Sequence, residues 1–108
     1  MSRLIRACAA DELADGQMRA VADAPEPVAI CRVGGEWFAF SNNCTHRKFP
    51  LSEGFVEGTE VQCPLHGARF CLRTGAVREI PARWDLEVFP VRIERGEVFV
   101  ELGFPDLP

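Results

Sequence analysis

Val28-Ala29-Ile30-Cys31-Arg32-Val33, then Gly34-Gly35, then Glu36-Trp37-Phe38-Ala39-Phe40 is the stretch that decides the fold. Two apolar runs rich in β-prone residues flank a glycine pair. Paired glycines take the positive φ angles that a two-residue primed turn demands, so residues 28–40 read as a β-hairpin. Outward toward the N-terminus, Leu4 to Ala9 reads as a first strand, Asp11 to Gly16 as a polar segment with one helical turn, and Gln17 to Val21 as extended chain. Two prolines between Asp23 and Pro27 predict a loop. Toward the C-terminus, Gly54 and Gly58 punctuate a segment with little helical periodicity, and Glu60-Val61-Gln62 reads as a strand. Arg69 to Leu72 reads as another, turning at Arg73-Thr74-Gly75. Leu86 to Glu94 and Glu97 to Leu102 alternate apolar with polar around Arg95-Gly96, a second hairpin in which Pro90 marks an edge or a bulge. Short strands separated by Gly and Pro turns predict an all-β sandwich or barrel, and with no repeat or linker residues 1–108 read as one domain.

The candidate chemistry lies directly after the first hairpin. Cys44-Thr45-His46 is followed, after sixteen intervening residues, by Cys63-Pro64-Leu65-His66-Gly67. Each motif offers one thiolate and one imidazole, and His46 and His66 are the chain's two histidines. Two soft sulfurs and two nitrogens match the Cys2His2 split in which one iron of a 2Fe-2S cluster keeps thiolates and the other takes histidines. A structural zinc site uses the same donors and is the competing reading. Zinc pairs, however, usually place like ligands together on one turn, whereas here each turn carries one Cys and one His. A catalytic Cys with a His would use one of each and leave the other pair unexplained.

Residues 44–67 resemble the Rieske signature, C-x-H followed by C-x-x-H. The stretch from Cys44 through Leu102, with Leu51-Ser52-Glu53-Gly54 and the closing hairpin, resembles the ferredoxins of bacterial aromatic-ring-hydroxylating dioxygenases of the biphenyl, naphthalene and carbazole type. The resemblance implies a β sandwich or barrel base bearing a small loop-rich cluster-binding subdomain, here about residues 41–81. It also implies one 2Fe-2S cluster held by Cys44, His46, Cys63 and His66. The role implied is electron carriage from a flavin-dependent, NAD(P)H-oxidising reductase to a terminal oxygenase, with no substrate turnover by this chain. An alternative is the small Rieske subunit of a larger reductase, such as NADH-dependent nitrite reductase; many of those subunits have lost the ligands, and all four are present here.

Around the ligands, the resemblance places Arg47, Lys48 and Gly67 at the exposed tip of the cluster loops, and Pro81, within Ile80-Pro81-Ala82, on a third loop that shields the cluster. Gly67 suits a close backbone approach, since it has no Cβ. Respiratory Rieske proteins carry disulfide cysteines where this chain has Phe49 and Leu65, and hydroxyl donors where it has Ala68 and Phe70. Two thiolates with two neutral imidazoles leave an oxidised core neutral, where four thiolates would leave it doubly negative. Rieske potentials accordingly lie at roughly −150 to +300 mV against about −400 mV for plant-type ferredoxins. Fewer hydrogen-bond donors stabilise the reduced cluster less, so the low end of the Rieske range is expected.

Composition narrows the partners. A net charge of −4 argues against nucleic acid, which needs concentrated Lys and Arg, and suits docking on basic protein patches. No run approaches the ~20 apolar residues of a membrane span. The N-terminal residues lack the continuous apolar stretch of a signal peptide, and Cys8, Cys31 and Cys71 sit in strand-like apolar surroundings that suggest buried thiols rather than a disulfide framework. A cytoplasmic, monomeric carrier is the resulting expectation. Trp37, Phe38, Phe40, Phe55, Phe70, Trp84, Phe89 and Phe99 are expected in the core.

Overall fold

The computed structural model describes residues 2–22, 24–44, 49–64, 67–79 and 85–103. The chain is all-β. Its strands are β1 (Ser2–Ala9), β2 (Met18–Ala20), β3 (Val28–Val33), β4 (Glu36–Ser41), β5 (Phe55–Glu57), β6 (Glu60–Gln62), β7 (Arg69–Cys71), β8 (Val77–Glu79), β9 (Val88–Phe89), β10 (Val91–Glu94) and β11 (Glu97–Gly103). They form three antiparallel sheets, in the orders β1-β11-β10, β2-β3-β4-β9 and β5-β6-β7-β8. Single turns of 3-10 helix follow β1, at Ala10–Glu12, and precede β5, at Leu51–Glu53.

The sheet containing β3 and β4 is the middle layer, and the side-chain parity of its strands shows why. Val28 and Ile30 of β3 and Ala39 of β4 join Ile5, Cys8, Val98, Val100 and Leu102 in one buried cluster against the β1-β11-β10 sheet. The alternate residues Ala29, Cys31, Phe38 and Phe40 join Val61, Phe70 and Leu72 of the third sheet and its exit in a second cluster. A strand covered on both faces has no solvent side to keep polar, which is why Val28 to Cys31 is a continuous apolar run, buried throughout. Full burial of Phe40, Phe70, Ile30 and Leu72 contributes about 1.5–3 kcal/mol for each side chain. No disulfide is needed, and none joins the described cysteines.

The first hairpin forms as its glycines require, with φ of 57° at Gly34 and 81° at Gly35, and Val33 paired with Glu36. Arg73, in the turn leaving β7, makes a two-pronged ion pair with Glu36 at 2.7 and 2.9 Å, tying the third sheet to this hairpin. The structure departs from the sequence expectation in several places, among them β8, which the sequence reading does not anticipate. The region around Gly54 and Gly58 is a short hairpin, β5 with β6, whose three-residue strands are too brief to show a period. The 86–94 stretch is split at Pro90: β9 pairs with β4 in the middle sheet, whereas β10 pairs with β11. Proline has no N–H for a ladder, so the break falls where the chain changes sheets, and the Pro90 carbonyl still accepts the Glu101 N–H at 2.9 Å. Phe55, expected in the core, is 60% exposed, because its neighbour Val56 faces inward and the pleat turns Phe55 out. Trp84 lies outside the described residues.

The three cysteines outside the candidate motifs are buried thiols in different settings. Burial pushes the Cys31 thiol up to about 12 and also raises that of Cys8. The hydroxyl of Thr74, helped by the backbone N–H groups of Thr74 and Arg73, holds Cys71 down at about 7 against the opposing effect of burial. The thiolate is the nucleophile, so of these three Cys71 is expected to alkylate first, its rate rising as pH passes upward through about 7, and Cys31 last. Peptide mapping after timed iodoacetamide treatment checks the order. A second expectation concerns Gly54, where a Cβ would overlap the Gln62 carbonyl oxygen and lie 3.0 Å from Pro64 Cδ. Gly54→Ala should lower stability by about 1–3 kcal/mol through this overpacking, read as a fall in Tm; an unchanged Tm would show that the approach of residue 54 to residues 62–64 is looser than drawn.

Candidate metal centre

Cys44 and Cys63 enter the same buried cluster from two different loops, 2% and 1% exposed, among Leu51, Val61, Ala68, Phe70, Leu72 and Leu86. Each begins a chain reversal closed in the same way. The Cys44 N–H donates to the Phe49 carbonyl at 3.0 Å, and the Cys63 N–H donates to the Ala68 carbonyl at 2.8 Å. Both bonds span five residues, and the histidine of each motif falls in sequence between donor and acceptor.

The loops are supported differently. Cys63 extends β6, and Ala68 leads into β7, so the second loop crowns a strand ladder whose last rung pairs Gln62 with Arg69. Gly67 has φ 76°, a conformation costly to residues with a Cβ, and a Cβ there would come within 3.3 Å of Gln62 Nε2. The first loop leaves β4 and returns through the bridge of Asn43 with Pro50 into the 3-10 turn. Gly54 then brings that turn's exit against Gln62 and Pro64, so the two loops are packed together at their bases.

Among the residues expected at the site, the structure thus brings together Cys44, Cys63 and Gly67, with Ala68 and Phe70 fully buried beneath them. His46, Arg47 and Lys48 of the first loop, Leu65 and His66 of the second, and Pro81 lie outside the described residues. What is described fits a cluster of iron and sulfide. Such a group needs soft sulfur donors shielded from water and offered by two supports, and two buried thiols in one apolar cluster meet that need. Sequence reasoning did not single out Asn42, whose buried side chain bonds across the first loop to Ser52. An Asn two residues before a motif cysteine is a cue for a side-chain turn clamp, but a polar residue at a strand end reads equally well as solvated.

Comparison with known proteins agrees with this geometry. The family model described as the Rieske [2Fe-2S] domain matches residues 3–90. The chain is 42% identical over 99 residues to the biphenyl 2,3-dioxygenase ferredoxin component of Rhodococcus jostii, the match covering 92% of each protein. Among solved structures it resembles the Sphingomonas yanoikuyae B1 ferredoxin, with TM-score 0.86, 33% identity, and 94% of this chain and 100% of that one covered. It also resembles a Mycobacterium tuberculosis structure described as an NADH-dependent nitrite reductase small subunit, with TM-score 0.87, 26% identity, and 97% and 99% covered. On the strength of a family match that spans most of its length, the chain belongs to the Rieske [2Fe-2S] domain family.

Proposed function

We propose that this chain is the ferredoxin of an aromatic-ring-hydroxylating dioxygenase system, carrying one electron at a time from a flavin-dependent NAD(P)H-oxidising reductase to a terminal oxygenase. It is an electron carrier and turns over no substrate by itself. The observation that supports this best is the 42% identity, across 92% of both proteins, with a dioxygenase ferredoxin component. Fold similarity alone does not separate a ferredoxin from a nitrite reductase small subunit, since the TM-scores are 0.86 and 0.87. Identity favours the ferredoxin, at 33% against 26% for the same two structures, with 42% to the biphenyl dioxygenase component.

In this reading the cluster ligands are Cys44 and Cys63 on one iron, with His46 and His66 on the other. When bound, the cluster supplies a site that takes up and releases one electron. The chain's own residues do the rest. The apolar surround of Leu51, Val61, Phe70 and Leu86 excludes water, and the closed loops fix the thiols. Residues 41–81 form the cluster-binding part of a single domain spanning 1–108. Arg47, Lys48 and Gly67 line the docking tip, and Pro81 covers the cluster. With a net charge of −4, the protein meets basic partner surfaces, where charge speeds encounter more than it tightens the complex. The working form is a monomer in the cytoplasm; among the described residues no helix is long and apolar enough to cross a membrane.

Reduction of the purified protein by NAD(P)H through a flavoprotein ferredoxin reductase, followed by reoxidation on a terminal oxygenase with aromatic substrate, tests the assignment. Stability only within a complex with a siroheme-containing partner would instead favour the nitrite reductase reading. Cys44→Ser and Cys63→Ser are each expected to give colourless protein with iron near zero, because ligation is coupled to the order of the loops that carry it. Full cluster content in either variant would remove that residue from the ligand set. The midpoint potential is expected near the lower end of roughly −150 to +300 mV, because Ala68 and Phe70 bring no hydroxyl to the sulfurs. Protein-film voltammetry giving a value well above 0 mV would contradict this account of the donors.

A further inference from the structure

Asn42 is the buried polar side chain among the described residues, 8% exposed, and stands two residues before Cys44. Its side-chain carbonyl accepts the Ser52 N–H at 2.8 Å, and its amide nitrogen donates to Ser52 Oγ at 3.0 Å. Its backbone carbonyl accepts the Leu51 N–H at 2.9 Å, and its own N–H donates to Pro27 at 3.0 Å. Three of these bonds cross from one end of the Cys44 loop to the other. The Leu51 bond, together with that of the Cys44 N–H to the Phe49 carbonyl, makes up the bridge of Asn43 with Pro50, and the two side-chain bonds to Ser52 lie outside that bridge.

The second loop needs no such device, because β6 and β7 pair right up to its neck. The first loop has only the single bridge of Asn43 with Pro50 and no ladder beyond it: β4 ends at Ser41 and a 3-10 turn, rather than a strand, receives the returning chain. A turn of that kind cannot extend a ladder. The paired side chains supply the missing rung, and Pro27 anchors it to the entrance of β3 in the middle sheet.

We propose that Asn42 and Ser52 form a polar staple that replaces a strand ladder at the neck of the first loop, making Asn42 a positioning residue for the Cys44 thiolate. The inference rests on the reading of Cys44 as an iron ligand. No bond of the staple uses a ligand side chain, so it holds the loop independently of iron. Loss of the staple frees the neck, and the Cys44 side of the site opens to water and to competing chelators before the Cys63 side does. Groups bonded directly to metal ligands are typically worth about 10–100-fold in metal affinity, and Asn42, acting one step removed through the loop neck, belongs at the low end of that range.

The test uses the oxidised, cluster-loaded full chain. Iron and acid-labile sulfide in the wild type come first; their absence would refute the ligand reading itself, apart from the staple. Iron loss to excess chelator at fixed temperature is then followed by visible absorbance. Asn42→Ala is expected to release iron about tenfold faster than wild type, and Ser52→Ala, which keeps its backbone N–H, about threefold faster. The double variant should be no faster than Asn42→Ala, since the Ser52 hydroxyl acts through the same amide. Val98→Ala, in the distant core cluster, serves as the stability control; it should lower Tm yet release iron at the wild-type rate. The reduced-state EPR signal should broaden in Asn42→Ala, as loop geometry becomes heterogeneous, and stay sharp in Val98→Ala. Release at the wild-type rate in Asn42→Ala, or equal acceleration in Val98→Ala at matched Tm, would overturn the proposal. Should Asn42→Ala fail to fold, Ser52→Ala decides: acceleration with an unchanged Tm supports the staple, and a wild-type rate overturns it.

Discussion

The structure depends on bringing two thiols from distant parts of the chain into one place that water does not reach. A cluster of iron and sulfide asks for soft donors held at fixed positions, and a loop left to itself pays conformational entropy to hold anything fixed. Here each cysteine closes its own loop with its backbone N–H, Cys44 to Phe49 and Cys63 to Ala68. The backbone bond sets the direction of the side chain, and the side chain then enters the apolar cluster shared with Phe40, Phe70 and Leu72. Neither loop could be placed so closely without the three-layer stack below it. The middle sheet, buried on both faces, offers a rigid floor to the first loop through β4 and Pro27, and the third sheet lifts the second loop over the same floor.

This division of labour also explains how a chain of 108 residues manages without disulfides. At this size a domain buries over ~60% of the surface its unfolded chain exposes, enough for a core but with little excess. Sharing the middle sheet between two cores gives β3 and β4 double value, since each residue of Val28 to Cys31 packs on one side or the other. The exposed ion pairs, such as Arg6 with Glu97 and Arg19 with Glu12, contribute little by comparison, because solvent screens them. The pair of Arg73 with Glu36 is also exposed, yet its two-pronged geometry gives it an orienting role between layers.

The sequence carried the fold class and the hairpins wherever turn chemistry was explicit. Gly34-Gly35 and Arg95-Gly96 left little choice, and the structure has positive φ at all four residues. It did not carry β5 or β8, because three-residue strands have no measurable period, although each pairs with a strand adjacent in sequence, β5 with β6 and β8 with β7. Pro90 was recognisable as an interruption, but only the packed layers show that it marks a change of sheet. Phe55 was misplaced for a related reason: an aromatic residue says that burial is favourable, whereas the pleat of a short edge strand decides which neighbour receives it. At the site, residue type and spacing singled out Cys44 and Cys63, which the structure buries in one cluster, and the missing Cβ singled out Gly67, which takes a positive φ. The staple of Asn42 with Ser52 was not legible, since a hydrogen bond across ten residues of loop leaves no local pattern.

The central claim is that one iron is held by Cys44 and Cys63 and its neighbour by His46 and His66. Mössbauer spectra of the oxidised protein, loaded with the Mössbauer-active isotope of iron, address it most directly. The account predicts two inequivalent ferric sites in equal amounts, one with the isomer shift of sulfur-only ligation and one shifted by nitrogen ligands. Two equivalent all-sulfur sites, or a protein that takes up zinc in place of iron and sulfide, would contradict it.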